Sequence, residues 1–182
     1  CFYEGQNALK GFNILRNWQL SFAPDTSKPL SFYELIDSQQ TAIKTENIES
    51  MKKLSNFNAL WIGPEWYKPI NGKWHNSTGN WSTEAADKHI FPDGLKEISG
   101  FAKAKGLALS LWYEPERVTK SSELYKVGAQ NEKWLLKGAD YLWNLANEDA
   151  FRYLSAYIST SIKDIGVDIY HHDFNDNAFY YW

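Results

Sequence analysis

Asp168-Ile169-Tyr170-His171-His172-Asp173-Phe174-Asn175 is the stretch that best indicates the fold of this 182-residue chain. It begins as an apolar, β-branched strand pattern and then reaches a carboxylate, Asp173, and an amide, Asn175, where the strand should end. In parallel α/β proteins the carboxyl ends of the strands open into the loops that line the pocket. A second acidic strand end, at residues 107–114, lies upstream and is followed by Pro115-Glu116-Arg117. The two strand ends together predict a functional site at one edge of a parallel sheet.

The composition narrows the class of function. The net charge is -3, so the chain lacks the basic surface typical of nucleic-acid binding, and we expect no nucleic-acid partner. No uninterrupted apolar run approaches the roughly 20 residues that a membrane helix needs, so we expect no membrane partner either. Aromatic residues make up 16% of the chain, with nine Trp among them. Because flat aromatic rings suit the apolar faces of sugars, this content favours carbohydrate chemistry, with an aromatic-rich core as the alternative.

Strand and helix patterns alternate along the chain. Candidate strands lie at residues 30–36, 58–63, 107–113 and 167–171, and candidate helices at residues 6–22, 45–54, 92–105 and 147–165. Thr45 and Pro92 suit helix starts. Gly106 and Gly166 suit helix ends. Successive units of this kind predict a parallel sheet with right-handed crossovers.

Four βα units amount to half of a (β/α)8 TIM-type barrel, which takes about 250 residues when complete. The sequence predicts that this chain covers about the first four units and is truncated after strand four. Its predicted parts are a lead-in helix and linker over residues 1–26 and a partial catalytic domain over residues 27–182. A doubly wound open sheet is the structural alternative. It is disfavoured because no glycine-rich phosphate loop follows the first strand.

Several motifs occur in an order that is typical of one enzyme family. They are Gly79-Asn80-Trp81, Phe91-Pro92-Asp93-Gly94-Leu95-Lys96, Trp112-Tyr113-Glu114-Pro115-Glu116-Arg117-Val118 and the strand end at residues 170–175. On these motifs the chain resembles glycoside hydrolase family 36, the melibiase-type α-galactosidases, and the block around Glu114 is the most specific part. The resemblance implies a (β/α)8 barrel. It also implies retaining hydrolysis of terminal α-linked galactose from oligosaccharides by double displacement.

The resemblance assigns roles to residues near the fourth strand end. Asp173 would be the nucleophile, and the acid/base aspartate would lie on strand six, beyond residue 182. Because retaining hydrolysis needs two carboxyl groups about 5–5.5 Å apart, this fragment alone is expected to be inactive. Asn175 is placed to donate a hydrogen bond to Asp173 or to a sugar hydroxyl. Without the resemblance, helix-capping and turn chemistry would account better for an Asp-x-Asn sequence.

The chain departs from the family pattern at two positions that are expected to bind the sugar. The aspartate that usually ends the second strand is replaced by Gly63, and we hypothesise that Glu65, the nearest carboxylate, takes over its contact. The Lys or Arg that usually stands two residues before the nucleophile is replaced by His171, which should share a strand face with Asp173. Both changes put specificity for galactose in question, with a related sugar as the alternative.

Tryptophans supply further substrate-binding candidates. The long polar and aromatic loop at residues 64–90 contains Trp66, Trp74 and Trp81, and these are candidates for stacking on sugar. Trp112 lies within a predicted strand. It is retained as a binding candidate, although a core position fits it better.

Charged residues near the third strand end complete the candidate set. Glu114 and Glu116 flank Pro115, so we expect one of them to line the pocket while the other pairs with Arg117. Glu114 and Arg117 are kept as binding candidates. His171-His172-Asp173 has no further ligand at metal-like spacing, so the sequence predicts neither a metal nor another cofactor.

Three functions are compatible with these residues. They are a retaining α-galactosidase, a raffinose- or stachyose-forming transglycosylase, and a catalytically impaired carbohydrate-binding homologue. Each would take an oligosaccharide or glycoside as its partner. Members of the family are often multimeric and many act in the cytoplasm, so homo-oligomerisation of the full-length protein and a cytoplasmic location are expectations that rest on the resemblance alone.

Overall fold

The structure is a computed structural model that describes residues 8–22, 29–35, 43–138 and 140–173. The chain divides into two compact units, Cys1–Leu30 and Ser31–Trp182. The first unit contains helix α1, Ala8–Phe22, in which the rings of Trp18 and Phe22 meet edge to face with centroids 5.3 Å apart. The predicted division into residues 1–26 and 27–182 stays a prediction.

The second unit alternates strands and helices, as the sequence predicts. Its elements are, in chain order, β1 Phe32–Glu34, α2 Thr45–Leu54, β2 Ala59–Ile62, α3 Leu95–Ala104, β3 Ala108–Tyr113, β4 Arg117–Val118, α4 Glu123–Gly128, β5 Leu135–Lys137, β6 Tyr141–Trp143, α5 Glu148–Ile165 and β7 Ile169–His172. Short 3₁₀ turns at Pro64–Trp66, Trp74–Ser77 and Thr83–Ala85 shape the loop between β2 and α3.

Local chemistry explains where the longest helix begins and ends. The side-chain oxygen of Asn147 accepts the Ala150 backbone N–H at 3.0 Å, which satisfies a donor at the start of α5. Gly166 follows the helix with a φ of 84°, a left-handed conformation that glycine adopts at little cost. The capping residues Asn147 and Gly166 therefore explain both ends of α5.

The structure corrects one predicted helix cap and one predicted helix start. Thr45 is the first helical residue of α2, and the capping position belongs to Lys44, which makes no side-chain capping bond. The helix predicted to open at Pro92 begins instead at Leu95, because Gly94, with a φ of 83°, holds the chain outside helical geometry just before it. In both cases the sequence signal lies within three residues of the observed start.

β1, β2, β3 and β7 form a four-stranded parallel sheet in that order. Trp61 of β2 pairs with Ser110 of β3, and Ser110 pairs with Ile169 of β7, so these three residues lie level across the sheet. The predicted parallel sheet is confirmed. Its closure into a (β/α)8 barrel, and the extent of the barrel that this chain covers, stay predictions.

The two faces of the parallel sheet have different surroundings. Since successive strand residues point to opposite faces, each strand contributes alternate side chains to each face. One face packs against the helices in a buried apolar cluster. This cluster includes the strand residues Leu60, Ile62, Leu109 and Leu111 and the helix residues Ile98, Leu154 and Ile165. The opposite face, called the inner face below, carries Trp61, Ser110 and Ile169 and borders an open cavity.

A second, smaller sheet was not predicted from the sequence. β4, β6 and β5 pair in antiparallel fashion in that order, with Arg117 opposite Leu142 and Leu135 opposite Trp143. Part of it lies in residues 121–137, where the sequence shows only a mixed pattern. These strands are two or three residues long, too short for alternation of polar and apolar residues to identify them.

Candidate active site

Asp173 stands directly after β7, at the carboxyl edge of the parallel sheet. Its backbone N–H donates to the carbonyl of Tyr113 at 2.9 Å, so the pairing with β3 continues one residue beyond the strand. Its carboxylate oxygen Oδ2 accepts the indole N–H of Trp112 at 3.0 Å. β3 therefore holds both the backbone and the side chain of Asp173.

His171 lies on the inner face, two residues before Asp173. Its ring is tilted against that of Trp61, with centroids 5.4 Å apart. The two rings, with Phe32, Ser110 and Ile169, line an open cavity of about 480 Å³. The structure thus places the predicted site residue His171 beside an aromatic ring, Trp61, that sequence reasoning did not select.

The space beside Gly63 is occupied by two carboxylates. A Cβ atom built on Gly63 would lie 3.3 Å from Oε2 of Glu65 and 3.6 Å from Oε1 of Glu34. Glu65 comes from the 3₁₀ turn after β2, and Glu34 is the last residue of β1. Sequence reasoning missed Glu34 because the predicted first strand, residues 30–36, placed it in the strand interior, whereas the observed strand ends at Glu34.

Glu114 and Arg117 bind each other. Arg117 Nη2 lies 2.7 Å from Oε2 of Glu114, whose side chain is fully buried. The guanidinium also lies over the ring of Trp74, 5.8 Å from its centroid. Burial raises the pKa of the neighbouring Tyr67 hydroxyl, which stays neutral beside the pair. The expectation that Glu114 reaches a substrate is corrected, because protein covers its carboxylate.

Glu116, the other carboxylate flanking Pro115, turns elsewhere. Its Oε1 lies 3.7 Å from Nε2 of His172, which is on the face of β7 opposite to His171. Glu114 therefore confirms the prediction that one of the two glutamates pairs with Arg117. Glu116 turns toward His172, on the side of the sheet opposite to the inner face.

Trp66, Trp81 and Trp112 are core residues. Their exposed fractions are 0%, 0% and 2%. The ring of Trp81 lies 6.1 Å from that of Trp66 and 6.0 Å from that of Trp112, measured between centroids. This corrects the expectation that Trp66 and Trp81 stack on sugar, because neither presents a ring face to solvent. Trp74 is only partly buried and meets Trp112 edge to face at 5.4 Å.

Three further predictions concern Asn175, a metal site and a membrane-spanning helix. Asn175 lies outside the described residues. Within residues 8–22, 29–35, 43–138 and 140–173, no group of three or more His, Cys, Asp or Glu side chains is arranged to hold a metal ion. Among the helices described, none has the length and apolar character needed to cross a bilayer.

The family model described as Melibiase matches residues 43–179, which is well over half of the chain. This chain belongs to the melibiase family. The match includes the strand end at Asp173 and confirms the resemblance to melibiase-type α-galactosidases that the motifs indicate.

Two curated relatives match shorter parts of the chain. An α-galactosidase from Escherichia coli is 26% identical over 102 residues, which cover 51% of this chain and 13% of that protein. Alpha-galactosidase Mel36A from Lactobacillus acidophilus is 36% identical over 52 residues, which cover 29% of this chain and 7% of that protein. The matched region is therefore a small part of either relative.

A solved α-galactosidase has a similar fold. The structure of the family 36 enzyme AgaA from Geobacillus stearothermophilus, in complex with stachyose, superimposes with a TM-score of 0.60 and 19% sequence identity. The superposition covers 81% of this chain and 21% of that one. At this identity the likeness concerns the fold alone.

Proposed function

We propose that this protein is a retaining α-galactosidase in which Asp173 is the nucleophile. The observation that carries the proposal is the position of Asp173 in a melibiase-family chain. Its carboxylate stands at the carboxyl edge of the parallel sheet and is held by an N–H donor from the neighbouring strand. Active sites of α/β enzymes with parallel strands are built at this edge.

In the proposed reaction a carboxylate oxygen of Asp173 attacks the anomeric carbon of a terminal α-linked galactose. The bond from that carbon to the leaving oxygen breaks, and a second carboxyl group protonates the leaving oxygen. The resulting glycosyl ester on Asp173 is then hydrolysed by water, which the second group, now a carboxylate, deprotonates. We assign that second group to a part of the protein beyond residue 182.

The glycone would be held by residues around the same edge. Glu65 and Glu34 present carboxylate oxygens beside Gly63, and carboxylates accept hydrogen bonds from sugar hydroxyls. His171 supplies ring nitrogens on the inner face. Asn175 stays a proposed hydrogen-bond donor. This set differs from the family pattern at Gly63 and His171, so the proposed substrate class is galactose or a related sugar.

The experiment that tests the proposal compares the full-length protein with its Asp173→Ala variant on a panel of aryl α-glycosides. Loss of turnover in Asp173→Ala, with recovery by azide and formation of a β-glycosyl azide, is the expected result, because a small anion replaces the missing nucleophile on the opposite face of the sugar. Asp168→Asn is the matched control, since Asp168 flanks the other end of the same strand.

Each outcome of this panel has a separate meaning. Turnover of an α-galactoside supports galactose as the glycone. Turnover of another glycoside instead supports a pocket that is specific for a different sugar. Sugar transfer to raffinose or sucrose in place of hydrolysis would identify a transglycosylase with the same nucleophile. Unchanged turnover in Asp173→Ala, or no turnover by folded parent protein on any substrate or acceptor, would overturn the proposal.

A further inference from the structure

The indole of Trp112 is aimed at the carboxylate of Asp173. Trp112 pairs with His171 across β3 and β7, so it stands two residues before the position level with Asp173. From there its Nε1 reaches Oδ2 of Asp173 at 3.0 Å, a normal hydrogen-bond length. Trp112 is only 2% exposed. The indole N–H of Trp112 therefore contacts the carboxylate of Asp173, the proposed nucleophile.

The protein fixes Trp112 at both its backbone and its ring. The carbonyl of Trp112 accepts the indole N–H of Trp66 at 2.8 Å, within the buried interior. The rings of Trp74 and Trp81 meet the Trp112 ring edge to face, with centroids 5.4 Å and 6.0 Å away. Because the ring is clamped by its neighbours, its N–H direction is set before any substrate arrives.

A hydrogen bond of this kind has two consequences for a carboxylate nucleophile. It stabilises the ionised form, which is the form that attacks. It also restricts rotation of the carboxylate, so the oxygens keep one orientation relative to the sheet edge. His171, two residues before Asp173, lies with its ring against Trp61.

We propose that Trp112 is the positioning residue for Asp173, orienting its carboxylate and favouring its ionised form through the indole N–H. The inference rests on the proposed function of Asp173. It assigns Trp112 a role through the nucleophile, in place of the direct contact with substrate expected from the sequence. Trp66 supports this role by holding the Trp112 backbone.

The test removes the indole N–H of Trp112 in the full-length protein while keeping the ring. One variant carries β-(3-benzothienyl)alanine at position 112, in which sulfur replaces the N–H and the bicyclic shape is retained. The second is Trp112→Phe. The matched control is Trp143→Phe, because Trp143 is as buried as Trp112, at 2% exposed, but its indole N–H donates to the carbonyl of Ala150 at 2.7 Å.

Both position-112 variants should shift the acid limb of kcat/KM against pH to higher pH by about one unit, since the ionised carboxylate loses a donor. The rate of glycosylation, measured by leaving-group burst or with a slow fluorosugar, should fall about 10- to 100-fold. Trp143→Phe should keep the acid limb of the parent protein. Thermal unfolding of each variant reports separately on stability.

The outcome distinguishes this inference from the proposed function. If Asp173→Ala is inactive but the benzothienyl variant has the acid limb and glycosylation rate of the parent protein, Trp112 has no positioning role and the inference is wrong. The inference is also overturned if Trp143→Phe moves the acid limb as far as Trp112→Phe does. If Asp173→Ala is active, the proposed function fails first, and the inference fails with it.

Discussion

Glu114 and Arg117 form an ion pair at the end of β3 that is almost completely removed from solvent. The side-chain exposures are 0% for Glu114 and 11% for Arg117, and Nη2 and Oε2 are 2.7 Å apart. The guanidinium of Arg117 also lies over the Trp74 ring of the loop after β2, 5.8 Å from its centroid. The pair therefore contacts this loop through Arg117.

Arg117→Met should lower the free energy of unfolding by about 3–5 kcal/mol, because the carboxylate of Glu114 stays buried without its counter-ion. Urea unfolding followed by tryptophan fluorescence measures this change. Arg152→Met is the control, since the Glu148–Arg152 pair on α5 is 76% and 70% exposed and should matter little. Equal losses in the two variants would contradict the special role of burial.

Gly79→Ala should destabilise the protein by about 1–3 kcal/mol. Gly79 has a φ of 105°, and a Cβ atom there would lie 2.6 Å from Oγ of Ser122. Gly100→Ala in α3 is the matched control, because a Cβ atom at Gly100 meets nothing within 4 Å. In a helix interior this exchange should stabilise by about 0.5–1 kcal/mol. Thermal unfolding of both variants should therefore shift in opposite directions.

Asp168→Ala should cost about 1–3 kcal/mol of unfolding free energy, because it leaves a buried donor without its acceptor. Oδ2 of Asp168 accepts the backbone N–H of Leu109 at 2.9 Å, at the amino-terminal edge of the sheet. Asp168→Asn keeps an oxygen in this place and should lose less. Chemical denaturation compares the two, and an equal loss would mean that the side-chain oxygen does not contribute.

Stability should fall as the pH rises above the ordinary tyrosine value of 10. Burial raises the pKa of Tyr113 to about 12, so the folded state keeps its hydroxyl neutral after the unfolded chain has begun to ionise. The contribution is fully present below pH 10 and is lost between pH 10 and 12, at up to about 1.4 kcal/mol per pH unit.

Tyr113→Phe tests this pH dependence. The variant should lose about 1 kcal/mol at neutral pH, since the hydroxyl lies 3.1 Å from Oγ of Ser161, and its stability should decline less steeply above pH 10. Urea unfolding at pH 8, 9, 10 and 11 gives the slope. An alkaline slope identical to that of the parent protein would show that Tyr113 does not titrate with unfolding.

Local sequence patterns predicted the elements that are regular over many residues. The start and end of α5 follow from Asn147 and Gly166, and the apolar pattern of β3 identified a buried strand. The rule that a carboxylate at a strand end marks a site selected Asp173. It missed Glu34, because the first strand was predicted at residues 30–36 and ends at Glu34 in the structure. The strands of the second sheet, which are two or three residues long, carry too little pattern to be recognised.

The sequence by itself determined the alternation of strands and helices, the parallel sheet and the membership of the melibiase family, because these depend on local propensity and on motif order. Only the tertiary structure decided which polar and aromatic side chains meet. The sequence predicts that Trp66 and Trp81 stack on sugar, but both pack in the core. Glu114 pairs with Arg117. Trp112 reaches Asp173 because the register of β3 and β7 sets them side by side, a relationship between residues 61 positions apart. Sequence spacing does not encode such contacts; they depend on how neighbouring strands align and on which face each side chain occupies.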